Sequence, residues 1–87
     1  MDARLLATLK EEPGGDLLDI GTGTGRVLEM AAEYVRSAVG IDNARPMLEI
    51  ARANLDKAGY RHCQVRLADM YRLPFPAERF DAVTINM

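Results

Sequence analysis

Apolar residues recur along this chain with two different periods, which predicts alternating strands and helices. Short, almost wholly apolar runs at residues 16–20 and 38–42 are typical of strands that are covered on both faces. Between these runs, apolar residues recur at helical spacing from residue 24 to about residue 35. A second helical pattern spans residues 45–58, and Gly59 supplies its stop.

The rest of the chain predicts one more helix and two more strands. Three leucines share one helical face between residues 3 and 12, ahead of a Pro-Gly-Gly stop. Residues 63–68 alternate apolar and polar side chains, and residues 80–85 are rich in strand formers. Two prolines force a loop between residues 70 and 78.

Strands that alternate with helices predict an α/β fold with a parallel, Rossmann-like sheet and helices on both faces. A ligand crevice in such a sheet lies where the strand order reverses, above the carboxyl ends of the strands. We therefore expect the strand order 3-2-1-4, with a ligand above strands 1 and 4.

Composition limits the function classes. The 87 residues suffice for a single domain, with a modest core. The net charge of −2 arises from interspersed acids and bases, so no basic surface for nucleic acid is expected. No apolar run approaches the ~20 residues of a membrane span, and the first residues do not resemble a signal peptide. A lone cysteine excludes an intrachain disulfide and fits a cytoplasmic protein.

A glycine-rich turn follows the first strand and carries the strongest chemical signal. Gly21 is expected to permit the tight turn, Gly23 the close approach of a ligand, and Gly25 the packing of the helix against the strand. Asp42 closes the second strand, twenty-one positions after Gly21. Nucleotide-binding βαβ units place an acid that binds ribose hydroxyls at this distance.

Two other interpretations of the turn stay open. It could be a strand-to-helix turn without a ligand, or the turn of a dinucleotide-binding unit. The dinucleotide pattern needs a glycine three positions after Gly23, where this chain has Arg26, and Gly25 comes one position early.

Four blocks of sequence resemble class I S-adenosylmethionine-dependent methyltransferases. They are the glycine loop at 17–25, the segment around the acid at 39–54, the Ala-Asp-Met…Leu-Pro-Phe segment at 65–75 and the Arg-Phe-Asp-Ala-Val segment at 79–83. The Leu-Pro-Phe-Pro…Phe-Asp pattern at 73–81 is most similar to the ubiquinone/menaquinone-biosynthesis-like branch of small-molecule methyltransferases. It also resembles methyltransferase domains fused to arsenic-repressor-type winged-helix regulators, but no winged-helix segment is present in this sequence.

The resemblance implies S-adenosylmethionine as cofactor and assigns it a set of binding residues. Asp19 and the glycine loop, including Thr22, would surround its methionine part. Asp42 would bind both ribose hydroxyls beside Asn43, with Met47 near the adenine. Asp69 would accept from the adenine amino group and Met70 would offer a backbone N–H, while Asn86 would lie near the methyl group. The cofactor-binding residues expected from the resemblance are therefore Asp19, Gly21, Thr22, Gly23, Gly25, Asp42, Asn43, Met47, Asp69, Met70 and Asn86.

Several of these residues also have structural interpretations. Asp42 could be a polar strand end, Asp69 could open a loop, and Met47 could belong to the apolar face of its helix. Ala44 stands where family members often have a helix-capping serine, so Asn43 would have to cap this helix.

Family members continue with three further strands, so residues 1–87 correspond to the cofactor-binding half of the domain. The function expected is methyl transfer to a small-molecule acceptor, with no catalytic group identified. The alternatives are a non-catalytic module that binds S-adenosylmethionine or dimerises through the open fourth strand and, less favoured, an NAD-binding unit. We expect no metal site, since the lone histidine and lone cysteine, His62 and Cys63, have no further ligands at metal spacing.

Overall fold

The computed structural model describes residues 13–76 and 79–86. Its elements are, in chain order, strand β1 (Gly15–Ile20), helix α1 (Arg26–Ala31), a 3₁₀ turn (Ala32–Tyr34), strand β2 (Val35–Asp42), helix α2 (Arg45–Ala58), strand β3 (Cys63–Leu67) and strand β4 (Ala82–Ile85). The helix expected over residues 3–12 lies outside the described residues.

The four strands form one parallel sheet in the order β3-β2-β1-β4, as the sequence predicted. Both neighbours of β1 run parallel to it. The strand order reverses at β1, so the crevice opens above the carboxyl ends of β1 and β4. In the register, Asp19 stands beside Gly40 of β2 and Thr84 of β4. The carboxyl ends of these three strands therefore carry the side chains of the candidate site.

Side chains of β1 alternate between two apolar layers, one on each face of the sheet. Leu17 lies in the layer under α1 and α2, together with the fully buried Leu28 of α1. Leu18 lies in the other layer, which the loop after β3 covers with Phe75 and the segment before β4 covers with Phe80. The two phenylalanine rings meet edge to face at 5.1 Å. Two-sided burial explains the continuous apolar run of this strand.

The first helix is shorter than its apolar spacing suggests. Gly25 has φ +86°, in the left-handed region, so the helix cannot begin before Arg26. At the other end Val35 is extended and pairs with Gly15, which makes it the first residue of β2 rather than the last of the helix. Val35 packs in the same core either way. Apolar spacing alone therefore did not locate this boundary.

The fourth strand begins at Ala82, two residues later than predicted, because Phe80 and Asp81 have other roles. The ring of Phe80 packs against Phe75, and the Asp81 carboxylate accepts the backbone N–H of Asp16 at 2.8 Å. Helix α2 has the predicted bounds, but the prediction that Asn43 caps it is wrong. Its N-cap is Ala44, with no side-chain hydrogen bond there, and Gly59 ends it with φ +77°.

Candidate functional site

The glycine loop and the end of β2 are joined by the Asp42 carboxylate. Its Oδ2 accepts the backbone N–H of Gly23 at 2.9 Å, and its Oδ1 accepts the N–H of Ala44 at 3.0 Å. Asp42 is half-buried, and each carboxylate oxygen that accepts one N–H keeps a further lone pair. The same carboxylate can therefore order the loop and accept two more hydrogen bonds from a ligand.

The loop glycines have different surroundings, which separate their roles. A Cβ on Gly21 would collide with the carbonyl oxygen of Asn86, so this glycine is required where the end of β4 passes the loop. Among the described residues, a Cβ on Gly23 would have no atom within 4 Å except the Met47 methyl, at 3.9 Å. This is the position where a ligand could approach the backbone.

The sequence suggested that Gly25 packs the helix against the strand, but the structure gives this glycine a different contact. A Cβ there would lie 3.2 Å from the Cβ of Ala51, so Gly25 allows the loop to rest on helix α2. The contact on the strand side is made at Gly40, where a Cβ would overlap the side chains of Thr22 and Leu28. Gly40 was not singled out in the sequence, since a glycine inside an apolar run carries no sign of what lies over it.

Asp19 lies beneath the loop and is completely buried. Its Oδ1 accepts hydrogen bonds from the Thr84 hydroxyl and the Asn86 side-chain amide, both at 2.6 Å. Its Oδ2 has no hydrogen-bond partner within the described residues, and neither has the buried hydroxyl of Thr22. Burial raises the pKa of the Asp19 carboxyl, and the hydroxyls of Thr84 and Thr22 and the amide of Asn86 partly oppose this shift. Thr22 is thus close enough to favour the anion, although the pair falls short of hydrogen-bonding geometry.

Asn43 and Asp69 line a shallow depression at the ends of β2 and β3. Leu67 and Ala68 complete its lining, and its volume of about 560 Å³ is in the range of ligand pockets. The Asp69 side chain accepts the N–H of Tyr71 at 2.9 Å, so part of its role is to shape the loop. Met70 lies toward the glycine loop, where its sulfur would be 3.6 Å from a Cβ on Gly21.

The predicted site residues therefore fall into three groups. One surrounds the loop and the strand ends and contains Asp19, Gly21, Thr22, Gly23, Asp42, Met47, Met70 and Asn86. Asn43 and Asp69 form the second group at the depression, and Gly25 is turned toward α2. Thr84 was not among the predicted residues, although the predicted order 3-2-1-4 places the strand that carries it directly beside β1.

His62 and Cys63 make structural contacts outside this site. The Nε2 of His62 donates to the carbonyl oxygen of Ala32 at 2.7 Å, which requires the proton on that nitrogen. Cys63 belongs to the core under the helices, and burial raises the pKa of its thiol to about 11. Within residues 13–76 and 79–86, no three His, Cys, Asp or Glu side chains cluster as a metal site would require.

Residues 17–87 match the family model described as "Methyltransferase domain". The chain belongs to the class I S-adenosylmethionine-dependent methyltransferases. It is 45% identical over 87 residues to a nocamycin O-methyltransferase from Saccharothrix syringae, and the alignment covers 97% of this chain and 31% of that protein. It is 49% identical over 73 residues to a demethylmenaquinone methyltransferase from Thermus thermophilus, covering 79% of this chain and 32% of the relative.

Among solved structures, the methyltransferase fold of the chain resembles that of the YcgJ protein of Bacillus subtilis. The two superpose with a TM-score of 0.83 at 26% identity, over 97% of this chain and 38% of that one. The chain thus spans about a third of the length of the methyltransferases it matches. In the described part of the chain, no helix is long and apolar enough to cross a membrane.

Proposed function

We propose that this chain forms the cofactor-binding half of a methyltransferase that transfers the methyl group of S-adenosylmethionine to a small-molecule acceptor. The observation that carries this proposal is the meeting of three features at one edge of the sheet. These are the open space over Gly23, the Asp42 carboxylate that holds the Gly23 N–H, and the buried Asp19 carboxylate beneath the loop.

The charge of the site favours a cationic ligand. Asp19 and Asp42 lie near enough that the charge of Asp42 raises the pKa of Asp19. Among the described residues, no cationic side chain contributes to the pKa shift of Asp19. S-adenosylmethionine carries a sulfonium and an ammonium group against a single carboxylate, so it is a net cation that this field would attract. The pyrophosphate of a dinucleotide would be repelled by it.

The backbone of the loop also disfavours a dinucleotide. Phosphate-binding loops present free N–H groups to the anion. Here Gly21 and Thr22 both donate to the carbonyl oxygen of Ile41, Gly23 donates to Asp42, and Gly25 donates to Thr22. An anion bound to these four N–H groups would have to displace their hydrogen bonds, which gives the NAD-binding alternative less support.

The adenosine part of the cofactor would lie along the ends of β2 and β3. The free lone pairs of Asp42 would accept the two ribose hydroxyls, with Asn43 beside them. The adenine would enter the depression bounded by Asn43 and Asp69. Met47, with 39% of its surface exposed next to Gly23, and the backbone N–H of Met70 would contact the ring.

The methionine part would lie over the glycine loop, above Asp19, Gly21, Thr22 and Gly23. When bound, S-adenosylmethionine supplies a methyl group on a sulfonium, which is already a good leaving group. The residues of this chain would contribute by binding and orienting that group for in-line attack by an acceptor nucleophile. Asn86 follows β4 at the end of the site where the methyl group is expected.

The acceptor is proposed to be a small molecule, because the nocamycin and demethylmenaquinone enzymes among the relatives are named for such compounds. We assign no catalytic base within this chain. Since the chain spans about a third of the relatives' length, the acceptor pocket of the proposed enzyme would require further protein segments.

A non-catalytic module that binds the cofactor and associates with itself is the second candidate, and the fourth strand favours it. Val83 and Ile85 of β4 are 53% and 62% exposed. Apolar side chains on an edge strand favour pairing with another strand. A second copy of this chain, joined through β4, would cover them.

Calorimetric titration of the purified chain with S-adenosylmethionine and, separately, with NAD tests the proposal. We expect S-adenosylmethionine to bind saturably and NAD not to bind. In Asp42→Ala the binding of S-adenosylmethionine should be lost. Asp56→Ala, at the other end of α2, removes an exposed carboxylate outside the site and should leave binding unchanged. Binding of NAD alone, or equal binding by Asp42→Ala and wild type, would contradict the proposal. Analytical ultracentrifugation of the same sample distinguishes a monomer from the self-associating module.

A further inference from the structure

Asp19 and Thr84 form a short hydrogen bond between the two strands at the strand-order reversal. The residues stand side by side in the register of β1 and β4, and the Thr84 hydroxyl donates to Asp19 Oδ1 at 2.6 Å. The Asn86 amide donates to the same oxygen at the same distance. Both donors belong to β4 or to the residue that follows it, so this strand holds one side of the carboxylate.

The other side of the carboxylate is left without a partner. Asp19 Oδ2 is buried and accepts no hydrogen bond within the described residues, and the orphaned hydroxyl of Thr22 lies nearby. The groups that face Asp19 are uncharged on the loop (Thr22) and on the β4 side (Thr84 and Asn86), while β2 contributes the anionic Asp42. A buried anion in these surroundings depends on its hydrogen bonds to stay ionised.

We propose that Thr84 is a positioning residue that holds Asp19 as an anion beneath the glycine loop and thereby sets the affinity for the amino-acid end of the cofactor. This inference rests on the proposed function, because it needs the methionine part to lie over the loop. It adds a residue that acts through Asp19 without contacting the ligand. It also predicts which part of the ligand is affected, since the adenosine part meets Asp42 and the depression instead.

Two ligands separate these effects. S-adenosylhomocysteine carries the amino-acid end, and 5′-methylthioadenosine carries the same adenosine with a methyl group in its place. Any contribution of Asp42 or Asp69 is common to both ligands and cancels in the ratio of their dissociation constants. That ratio therefore reports on the groups that face the amino-acid end, and its change with pH reports on Asp19, provided that the pH stays below about 7, where the ligand's amino group remains protonated.

The test compares Thr84→Val, which keeps the shape and removes the hydroxyl, with Thr84→Ser, which keeps the hydroxyl. Titrations of both ligands at a series of pH values below 7 should give a selectivity for S-adenosylhomocysteine that falls as Asp19 becomes protonated. In Thr84→Val this fall should move to higher pH by about one unit, the scale of one hydrogen bond to a charged group. In Thr84→Ser it should return toward the wild-type pH.

The possible outcomes separate this inference from the proposed function. If S-adenosylhomocysteine binds and the pH dependence of the ratio is the same in wild type and Thr84→Val, the role of Thr84 is refuted and the proposed function stands. If neither ligand binds the wild-type chain, the proposed function fails, and this inference fails with it. The ¹³C chemical shift of the Asp19 carboxyl, followed against pH without ligand, checks the first step directly. An unchanged titration midpoint in a folded Thr84→Val would overturn the proposal.

Discussion

The Asp42 carboxylate accepts the backbone N–H of Gly23 across the gap between the end of β2 and the glycine loop, at 2.9 Å. This single hydrogen bond connects the two features by which the sequence resembles a methyltransferase, the alternate glycines and the acid twenty-one positions after the first of them. It also occupies a loop N–H that a phosphate would need. The contact therefore supports an S-adenosylmethionine site over a dinucleotide site.

Gly23→Ala should impair ligand binding far more than stability. Its φ of +55° gives an alanine a backbone cost of about 1–2 kcal/mol. The added Cβ would also occupy the space proposed for the cofactor. Gly59→Ala is the matched control, because Gly59 has φ +77° at the far end of α2 and no atom of the described residues lies within 4 Å of a Cβ there. Urea denaturation should show similar losses of stability for the two variants, with a loss of S-adenosylhomocysteine affinity of at least tenfold in Gly23→Ala alone. Equal affinities would contradict the assignment of Gly23.

Asp19→Asn should stabilise the chain at neutral pH while weakening the binding of S-adenosylhomocysteine. Burial raises the pKa of Asp19 in the folded state, so the stability this group contributes is present below the unfolded pKa of about 3.8 and is lost as the pH rises through the folded value. The asparagine oxygen can still accept from Thr84 and Asn86, without the cost of a buried charge. We expect a gain of roughly 0.5–2 kcal/mol near pH 7, measured by urea denaturation. A variant less stable than wild type at every pH would show that the carboxylate is not a destabilising charge.

Asp16 should contribute to stability with the opposite dependence on pH. The hydrogen bond from Arg36, followed by that from Ser37, lowers the pKa of Asp16 to about 2. This contribution is present above the unfolded pKa of about 3.8 and is lost as the pH falls toward 2. The difference in stability between wild type and Asp16→Asn should thus be largest above pH 4 and fall toward zero below pH 2. A difference, measured by urea denaturation, that stays constant between pH 4 and pH 2 would contradict this role of Asp16.

Gly40→Ala should destabilise the chain through Thr22. The new Cβ would overlap the Thr22 side chain and come within 2.8 Å of the Leu28 methyl, a degree of overpacking that costs about 1–3 kcal/mol. Thr22→Ala removes the hydroxyl from the overlap and should recover part of this loss in the double variant. A double-mutant cycle by thermal denaturation measures the coupling. Strictly additive effects would mean that the two residues do not press on each other.

The sequence predicted the elements with a strong local cause and missed boundaries that depend on packing. Helix α2 was predicted over its full length because its apolar residues recur at helical spacing and Gly59 stops it. Val35 was assigned to the wrong element, because an apolar residue at helical spacing fits a buried strand equally well. The pairing of Val35 with Gly15 makes Val35 the first residue of β2.

In the candidate site, the sequence found the residues whose spacing along the chain carries the signal. Gly23 and Asp42 follow from the βαβ pattern, and the structure brings them into contact. Thr84 and Gly40 could not be found in that way. Their roles arise from neighbours on other strands, namely the buried carboxylate beside Thr84 and the Thr22 side chain over Gly40.

The most direct test of the account is a ¹⁵N NMR titration of the chain with S-adenosylmethionine. We predict that the largest shifts of the backbone N–H signals fall on Gly23, Asn43, Asp69 and Met70, at the carboxyl ends of the strands. Gln64 lies near the amino end of β3, where it lines the surface hollow beside α2, and its signal should be unaffected. Saturable shifts confined to the Gln64 side, or no shifts in a folded chain, would contradict the assignment of the cofactor site.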